Sequence, residues 1–217
     1  MILVPLKDSK HAKQRLAALL DQPARTELAQ AMLEDVLEVI ASWPKRPEVG
    51  LITRDPFALM LASRYNFQVI VDHANTGETD AVAMATHICE SRGIESTLVI
   101  PADIPLIKVE ELQRIYDEAP AEGSLLVPAG DGRGTNAILR RPAGLFPLKF
   151  GNDSFLPHLA LAKNSGKPWI VLKLEGIGVD VDNPEDLRKI AEAPGETRAQ
   201  RLARKWDLGF DQIAANE

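Results

Sequence analysis

One cysteine, Cys89, stands among the 217 residues. A framework of internal disulfides is thereby excluded, and a lone thiol fits a reducing compartment. The chain also lacks an excess of positive charge. With 25 Lys and Arg against 31 Asp and Glu, its formal net charge of −6 argues against general affinity for nucleic acid. An anionic substrate would need a local basic patch. No apolar run approaches the roughly 18 residues that span a membrane. The N-terminal "MILVPLK" has no basic n-region and too short an apolar stretch for a signal peptide. A soluble cytoplasmic protein with no membrane partner is the expectation. Internal repeats and low-complexity stretches are missing, as is the G-x-x-x-x-G-K-[ST] pattern of an ordinary P-loop. The four histidines, His11, His73, His87 and His158, form no evident catalytic constellation.

What is present is ordinary globular composition, 45% apolar and 26% charged, in a length that suits one domain with a substantial core. Apolar, β-branched runs of strand length occur at residues 2–6, 49–53, 68–71, 97–101, 125–127, 137–139 and 169–174, the last continuing towards 178–182. Helix-period segments lie at 25–40, 56–65, 80–91, 109–118, 155–163 and 185–191. Strands alternating with helices predict a three-layer α/β/α sandwich on a mostly parallel sheet. The consecutive runs at 125–127 and 137–139 break the alternation and predict an antiparallel member. Residues 1–195 form the expected domain. The tail 196–217 places Leu202, Trp206, Leu208 and Phe210 at roughly helical spacing, predicting a helix docked on its own domain or on a second subunit of a homodimer.

In such sheets ligands bind beyond the carboxyl ends of the strands. After the first run come Lys7, Lys10, Lys13 and Arg15. Lysines three apart share one side of a helical turn, and two or three such charges could hold a triphosphate. After the fourth run, "VIPADIPLI" puts Asp103 at the mouth of the sheet, several residues too early to cap the helix beginning near Val109. The segment "GVDVDNPEDL" alternates Asp180 and Asp182 with Val179 and Val181. In an extended chain the two carboxylates share a face and need a cation between them. With Asp103 they make three hard oxygen ligands, suited to Mg²⁺ clamping phosphate oxygens.

The run "LLVPAGDGRGTNAILRR" holds glycines at 130, 132 and 134, whose successive N–H groups could form an anion nest. Thr135 and Asn136 add side-chain donors and Arg133 a charge. Downstream, Gly151 and Ser154 precede a helix whose N-terminus favours an anion. Two anion sites flanking three carboxylates suggest two phosphorylated substrates meeting across Mg²⁺.

The stretches "VPLKDSKHAKQRL", "ADIPLI", "DGRGTNAILRRP", "FGNDSFLPHLALA" and "DVDNPEDL" together resemble the phospholactate guanylyltransferase family of deazaflavin coenzyme F-420 biosynthesis. The resemblance implies the nucleotide-diphosphosugar transferase-like fold. It also implies transfer of GMP from GTP to 2-phospho-L-lactate, phosphoenolpyruvate or 3-phospho-D-glycerate, with release of pyrophosphate. By the same resemblance Thr135, Gly151 and Ser154 contact the acid, while Asp103, Asp180 and Asp182 hold magnesium. Lys7, Lys13 and Asp103 are the expected catalytic groups. The segment "TGETDAVAMA" departs from the family pattern, nearer G-L-N-x-A-L, at Glu78, Thr79 and Asp80. Other readings are a molybdopterin guanylyltransferase, whose N-terminal glycine-rich loop "ILVPLKDSK" lacks, a GT-A glycosyltransferase, and a non-catalytic nucleotide-binding module.

Overall fold

The computed structural model describes residues 1–7, 9, 12–72, 77–151 and 153–206. Lys10, His11, His73, Leu208 and Phe210 lie outside them. Seven strands make one sheet: β1 (Ile2–Pro5), β2 (Val49–Ile52), β3 (Gln68–Ile70), β4 (Thr97–Val99), β5 (Gly123–Pro128), β6 (Thr135–Arg141) and β7 (Trp169–Val171). Their order is β3-β2-β1-β4-β6-β5-β7. β6 is antiparallel to both neighbours, β4 and β5, and every other pairing is parallel. The antiparallel member expected from the sequence is therefore β6.

Strand alternation sets the layers. Ile2, Val4, Leu98, Leu125, Val127, Ala137 and Leu139 face one core cluster. That cluster also holds Val36, Leu37 and Ile40 of α1 (Gln22–Ser42), Leu61 of α2 (Pro56–Tyr65) and Leu112 of α4 (Val109–Glu118). The intervening Leu3, Val99, Leu126 and Ile138 face the second cluster, with α3 (Glu78–Ser91) and α5 (Phe155–Asn164). A period of two thus feeds two cores from one set of strands.

A third cluster joins Leu28 and Met32 of α1 to Val181, to Leu187 and Ile190 of α6 (Pro184–Glu192), and to Ala199 and Ala203 of α7 (Arg198–Lys205). Trp206 packs against the same cluster, so the described part of the tail is covered by its own domain. Asp35 of α1 is buried and accepts from the backbone N–H of Ala199 at 2.9 Å and of Arg198 at 3.0 Å, satisfying free donors at the start of α7.

One expected strand is not there. Residues 178–182 form no ladder; they follow a turn and are held by single contacts, among them the Val181 N–H to the Asp103 carbonyl at 3.1 Å. The cause is local. Glu111 of α4 accepts from the Gly176 N–H at 2.7 Å and from the Lys108 N–H at 3.1 Å, pinning the turn to α4. A side chain at 176 would collide with the Leu106 carbonyl and the Glu111 carboxylate, so the approach requires glycine.

Asp35→Ala is expected to leave two N–H donors of α7 unmet. Stability should fall by about 2 kcal/mol in urea unfolding, with the sheet signal retained; an unchanged midpoint would refute this role for Asp35.

Candidate functional site

The strand order runs outward from β1 in both directions, so the switch point lies between β1 and β4, where ligands of open α/β sheets bind. The loop after β1 supplies Lys13, whose left-handed backbone (φ 55°) places it outside any right-handed helical turn. Lys13 stands at the start of a 3₁₀ turn, Gln14–Leu16, so it does not share a right-handed helical face with Lys7, while Lys10 lies outside the described residues. Its ammonium lies 2.7 Å from Asp103 Oδ2, beyond β4, and 2.9 Å from Asp182 Oδ1. Arg15 reaches the other Asp182 oxygen at 3.4 Å.

Burial acts to lower the Lys13 pKa, but Asp103 and Asp182 outweigh it and hold it above the ordinary lysine value. Asp182 is likewise held below the usual carboxylate value, Lys13 and Arg15 overcoming the cost of burial. Asp182 does not cap α6. Asn183 does, accepting from the N–H groups of Glu185 at 2.9 Å and Asp186 at 3.1 Å, while Asp186 reaches back to the Asp182 N–H at 3.2 Å. The Asp182 carboxylate is left to face the cavity.

That cavity, about 670 Å³, is lined by Lys7, Lys13, Arg15, Arg54, Asp103 and Asp182 among others, a volume that suits a nucleotide-sized ligand. Lys7 is exposed at its rim. Asp55 closes one wall: it caps α2 through the Phe57 and Ala58 N–H groups and accepts from Ser9 Oγ at 2.7 Å, tying the β1 loop down. Glu78, at the start of α3, was not singled out as a site residue. Its carboxyl is pushed up to about 7 by burial, then by Asp103 and Asp182, against the pull of Lys7 and Lys13. Only the departure of its segment from the family pattern hinted at it.

Asp180 turns away from the Lys13 pair. Its Oδ1 accepts from Asn136 Nδ2 at 3.0 Å, and the other Asn136 amide hydrogen goes to the Ile177 carbonyl at 2.9 Å. Burial, with Asp103 and Asp182 adding, raises the Asp180 pKa despite that bond. The donors of Asn136 thus join β6 to the aspartate segment. Among the described residues no group of three or more His, Cys, Asp or Glu is arranged to hold a metal ion. Asp103 and Asp182 nonetheless share one cation, the Lys13 ammonium. A pair of carboxylates doing so fits a Mg²⁺ that takes its remaining ligands from phosphate and water.

The glycine loop is a closed turn, which corrects the anion nest. The Gly130 N–H goes to the Gly178 carbonyl at 2.7 Å and the Gly132 N–H to the Ala129 carbonyl at 2.9 Å. Arg133 N–H goes to Asp131 Oδ1 at 2.8 Å, and the Arg133 guanidinium pairs with Asp153, Nε to Oδ1 at 2.5 Å. The loop positions Thr135 at its end.

There a second polar group forms, outside the lining of the large cavity. Ser154 precedes α5 but makes no side-chain cap. Its Oγ accepts from the Thr135 N–H at 3.2 Å. Thr135 Oγ1 lies 2.9 Å from His158 Nδ1, and His158 Nε2 accepts from the Lys149 N–H at 2.9 Å. Gly151 sits nearby in sequence with φ 136°, a conformation L side chains rarely adopt. His158 is fully buried, its ring edge-on to Phe150 at 5.3 Å. Burial, with Arg140 adding, pushes its pKa down to about 4. Its spacing of four from Ser154, one helical turn on, was the available signal for it.

Residues 1–214 match the family described as guanylyl transferase, CofC-like. A phosphoenolpyruvate guanylyltransferase of Roseiflexus castenholzii is 36% identical over 204 residues, 94% of this chain and 93% of that one. A 3-phospho-D-glycerate guanylyltransferase of Colwellia psychrerythraea is 32% identical over 193 residues, 88% and 90% of the two chains. Among solved structures, a proposed nucleotide-diphospho-sugar transferase from Desulfovibrio desulfuricans superposes with a TM-score of 0.79 at 16% identity, covering 97% of this chain and 96% of that one. That likeness establishes the fold.

Because the folded state keeps His158 neutral, its contribution is present above the unfolded-state value near 6.5 and is lost as pH falls towards about 4. Between these limits the unfolded chain binds the extra proton, costing about 3 kcal/mol in all. Glu78, raised to about 7, shifts stability the opposite way over much of this window. The test is therefore the difference in stability between wild type and His158→Phe, which should change by about 3 kcal/mol between pH 7 and pH 4; a difference that does not vary with pH would refute this contribution.

Proposed function

The chain belongs to the CofC-like guanylyl transferase family, and from that premise we propose that it joins GMP from GTP to a small phosphorylated three-carbon acid, with release of pyrophosphate, in coenzyme F-420 biosynthesis. The observation that carries this reading is the Lys13 ammonium between Asp103 and Asp182 at the switch point of the sheet, opening on a nucleotide-sized cavity. Phosphoenolpyruvate heads the acids to be tested, because the Roseiflexus castenholzii relative is named for it. The lone Cys89 is buried, which suits the reducing cytoplasm.

The reaction asks little of acids and bases. A phosphate monoester has a second pKa near about 6, so the acceptor arrives ionised at neutral pH. Its oxygen attacks the α-phosphorus of GTP in line, forming one P–O bond as the bond to the β-phosphate breaks and pyrophosphate departs with the electron pair. The work of the site is to bring two anions together and spread their charge. Lys7, Lys13 and Arg15 line the cavity and supply positive charge for the triphosphate. Thr135, Gly151 and Ser154, with Asn136 bracing β6 to Asp180, form the acid subsite. Magnesium, held by Asp103 and Asp182 together with phosphate oxygens, with Asp180 adding negative charge beside them, would neutralise charge on the triphosphate and the leaving group.

Pyrophosphate release should require GTP, Mg²⁺ and one acid together, and chelation should abolish it reversibly. Asp103→Asn and Asp182→Asn should each lower kcat by at least about 100-fold with the fold intact. Substantial turnover by either purified variant would refute the assignment. Ser154→Ala should instead raise the KM for the acid by about tenfold while the KM for GTP holds, as saturation curves would show.

A further inference from the structure

The hydrogen bonds around the acid subsite have a direction. A backbone N–H can only donate, so the bond from Lys149 makes His158 Nε2 an acceptor without a proton. The proton of the neutral ring is then on Nδ1, which donates to Thr135 Oγ1 at 2.9 Å. Thr135 Oγ1 thus accepts from inside the protein, and its own hydrogen remains to be donated. Ser154 Oγ accepts the Thr135 N–H at 3.2 Å and donates to Thr135 Oγ1 at 3.4 Å, so both lone pairs of Thr135 Oγ1 are engaged within the protein.

We propose that His158 is a positioning residue which fixes the Thr135 hydroxyl as a hydrogen-bond donor to the acid substrate, and so gives the subsite its preference for an oxygen that carries no proton. The inference rests on the acid subsite proposed above. A rotor free to choose would offer a lone pair to a ligand as readily as a hydrogen. A hydroxyl whose inward lone pair is engaged by an imidazole N–H presents a donor. An ionised carboxylate or phosphate offers only acceptors and matches it in any orientation; an amide or alcohol analogue can accept through its oxygen but also brings a donor that the engaged hydroxyl leaves unmet.

The surroundings hold the device in one state. His158 is buried between Phe150 and the Thr135 end of β6, and burial with the positive Arg140 guanidinium disfavours a second ring proton, which the Lys149 N–H could not tolerate at Nε2. Arg140 is itself buried and held by the Phe146 carbonyl and by Thr86 and Thr97 hydroxyls. Arg133, the cation next to the subsite in sequence, is engaged by Asp153. Lys149 contributes its backbone, and its side chain is exposed.

A double-mutant cycle on the full chain tests this, using phosphoenolpyruvate, 2-phospholactate and 3-phosphoglycerate as probes and GTP as the internal control. Thr135→Val keeps the shape and removes the hydroxyl; it should raise the KM for the active acid about tenfold and leave the KM for GTP unchanged. His158→Phe keeps the ring and removes its N–H; it should raise the KM for the acid by a similar factor. In the Thr135→Val background, His158→Phe should add less than about twofold, because the hydroxyl it orients is gone. His158→Asn, whose amide nitrogen takes the place of Nδ1, should recover most of the loss seen with Phe. Full multiplication of the two effects, or an equal rise in both KM values, would overturn the positioning role and leave His158 as packing. No change in Thr135→Val would overturn the acid subsite itself, and the inference with it.

Discussion

A single ammonium ion organises this molecule's site. Lys13 comes from the loop after the first strand, Asp103 lies 90 residues away and Asp182 169 residues away, and the three meet within 3 Å contacts. Burying a lysine is costly unless carboxylates repay the lost hydration, and here two do. The pair also solves the converse problem. Two aspartates facing one cavity would repel, and each would be driven towards its neutral form without a shared cation. Asp180 and Glu78 show the contrast: burial first, then the field of the same carboxylates, raises both. The β1 loop, the end of β4 and the segment before α6 are therefore held in register by charge as much as by apolar packing.

The scaffold was legible because its signals are periodic. Seven strand-length runs became seven strands, and the break in alternation between 125 and 139 became the antiparallel β6. Helices α2 and α4 begin and end where their patterns do, helped by an Asp55–Pro56 cap and by Glu111 folding back on Lys108. The segment 178–182 misled for a physical reason. Its Val–Asp alternation is that of a strand, and Val181 is indeed buried with the aspartates on the other side, but what it satisfies is a contact to the Asp103 carbonyl rather than a neighbouring ladder. Periodicity reports which face is apolar, not which backbone groups pair.

The site was legible in part. Strand ends drew attention to Asp103, and the D-x-D pattern to Asp182. The glycine loop looked like a nest because glycines permit one, yet Asp131 and two carbonyls engage the N–H groups of Gly130, Gly132 and Arg133, and no sequence pattern records such partners. His158 escaped for a related reason. A histidine inside an apolar helix reads as packing, and its meaning comes from a backbone N–H nine residues away and a hydroxyl from another strand.

The two halves of the site handle charge by opposite means. The cavity at β1 and β4 balances full charges, Lys13 and Arg15 against Asp103 and Asp182. The Thr135–Ser154 group, proposed as the acid subsite, has Arg133 withdrawn into a pair with Asp153 and a Thr135 hydroxyl whose direction is set by the hydrogen bonds behind it. That division suits a reaction between two anions. If cations held both partners equally, either could occupy the other's place; donors of fixed direction select by hydrogen-bond pattern instead of by total charge. The brace between the two groups is Asn136, which spends both amide hydrogens on the aspartate segment and so ties the Thr135 end of β6 to it.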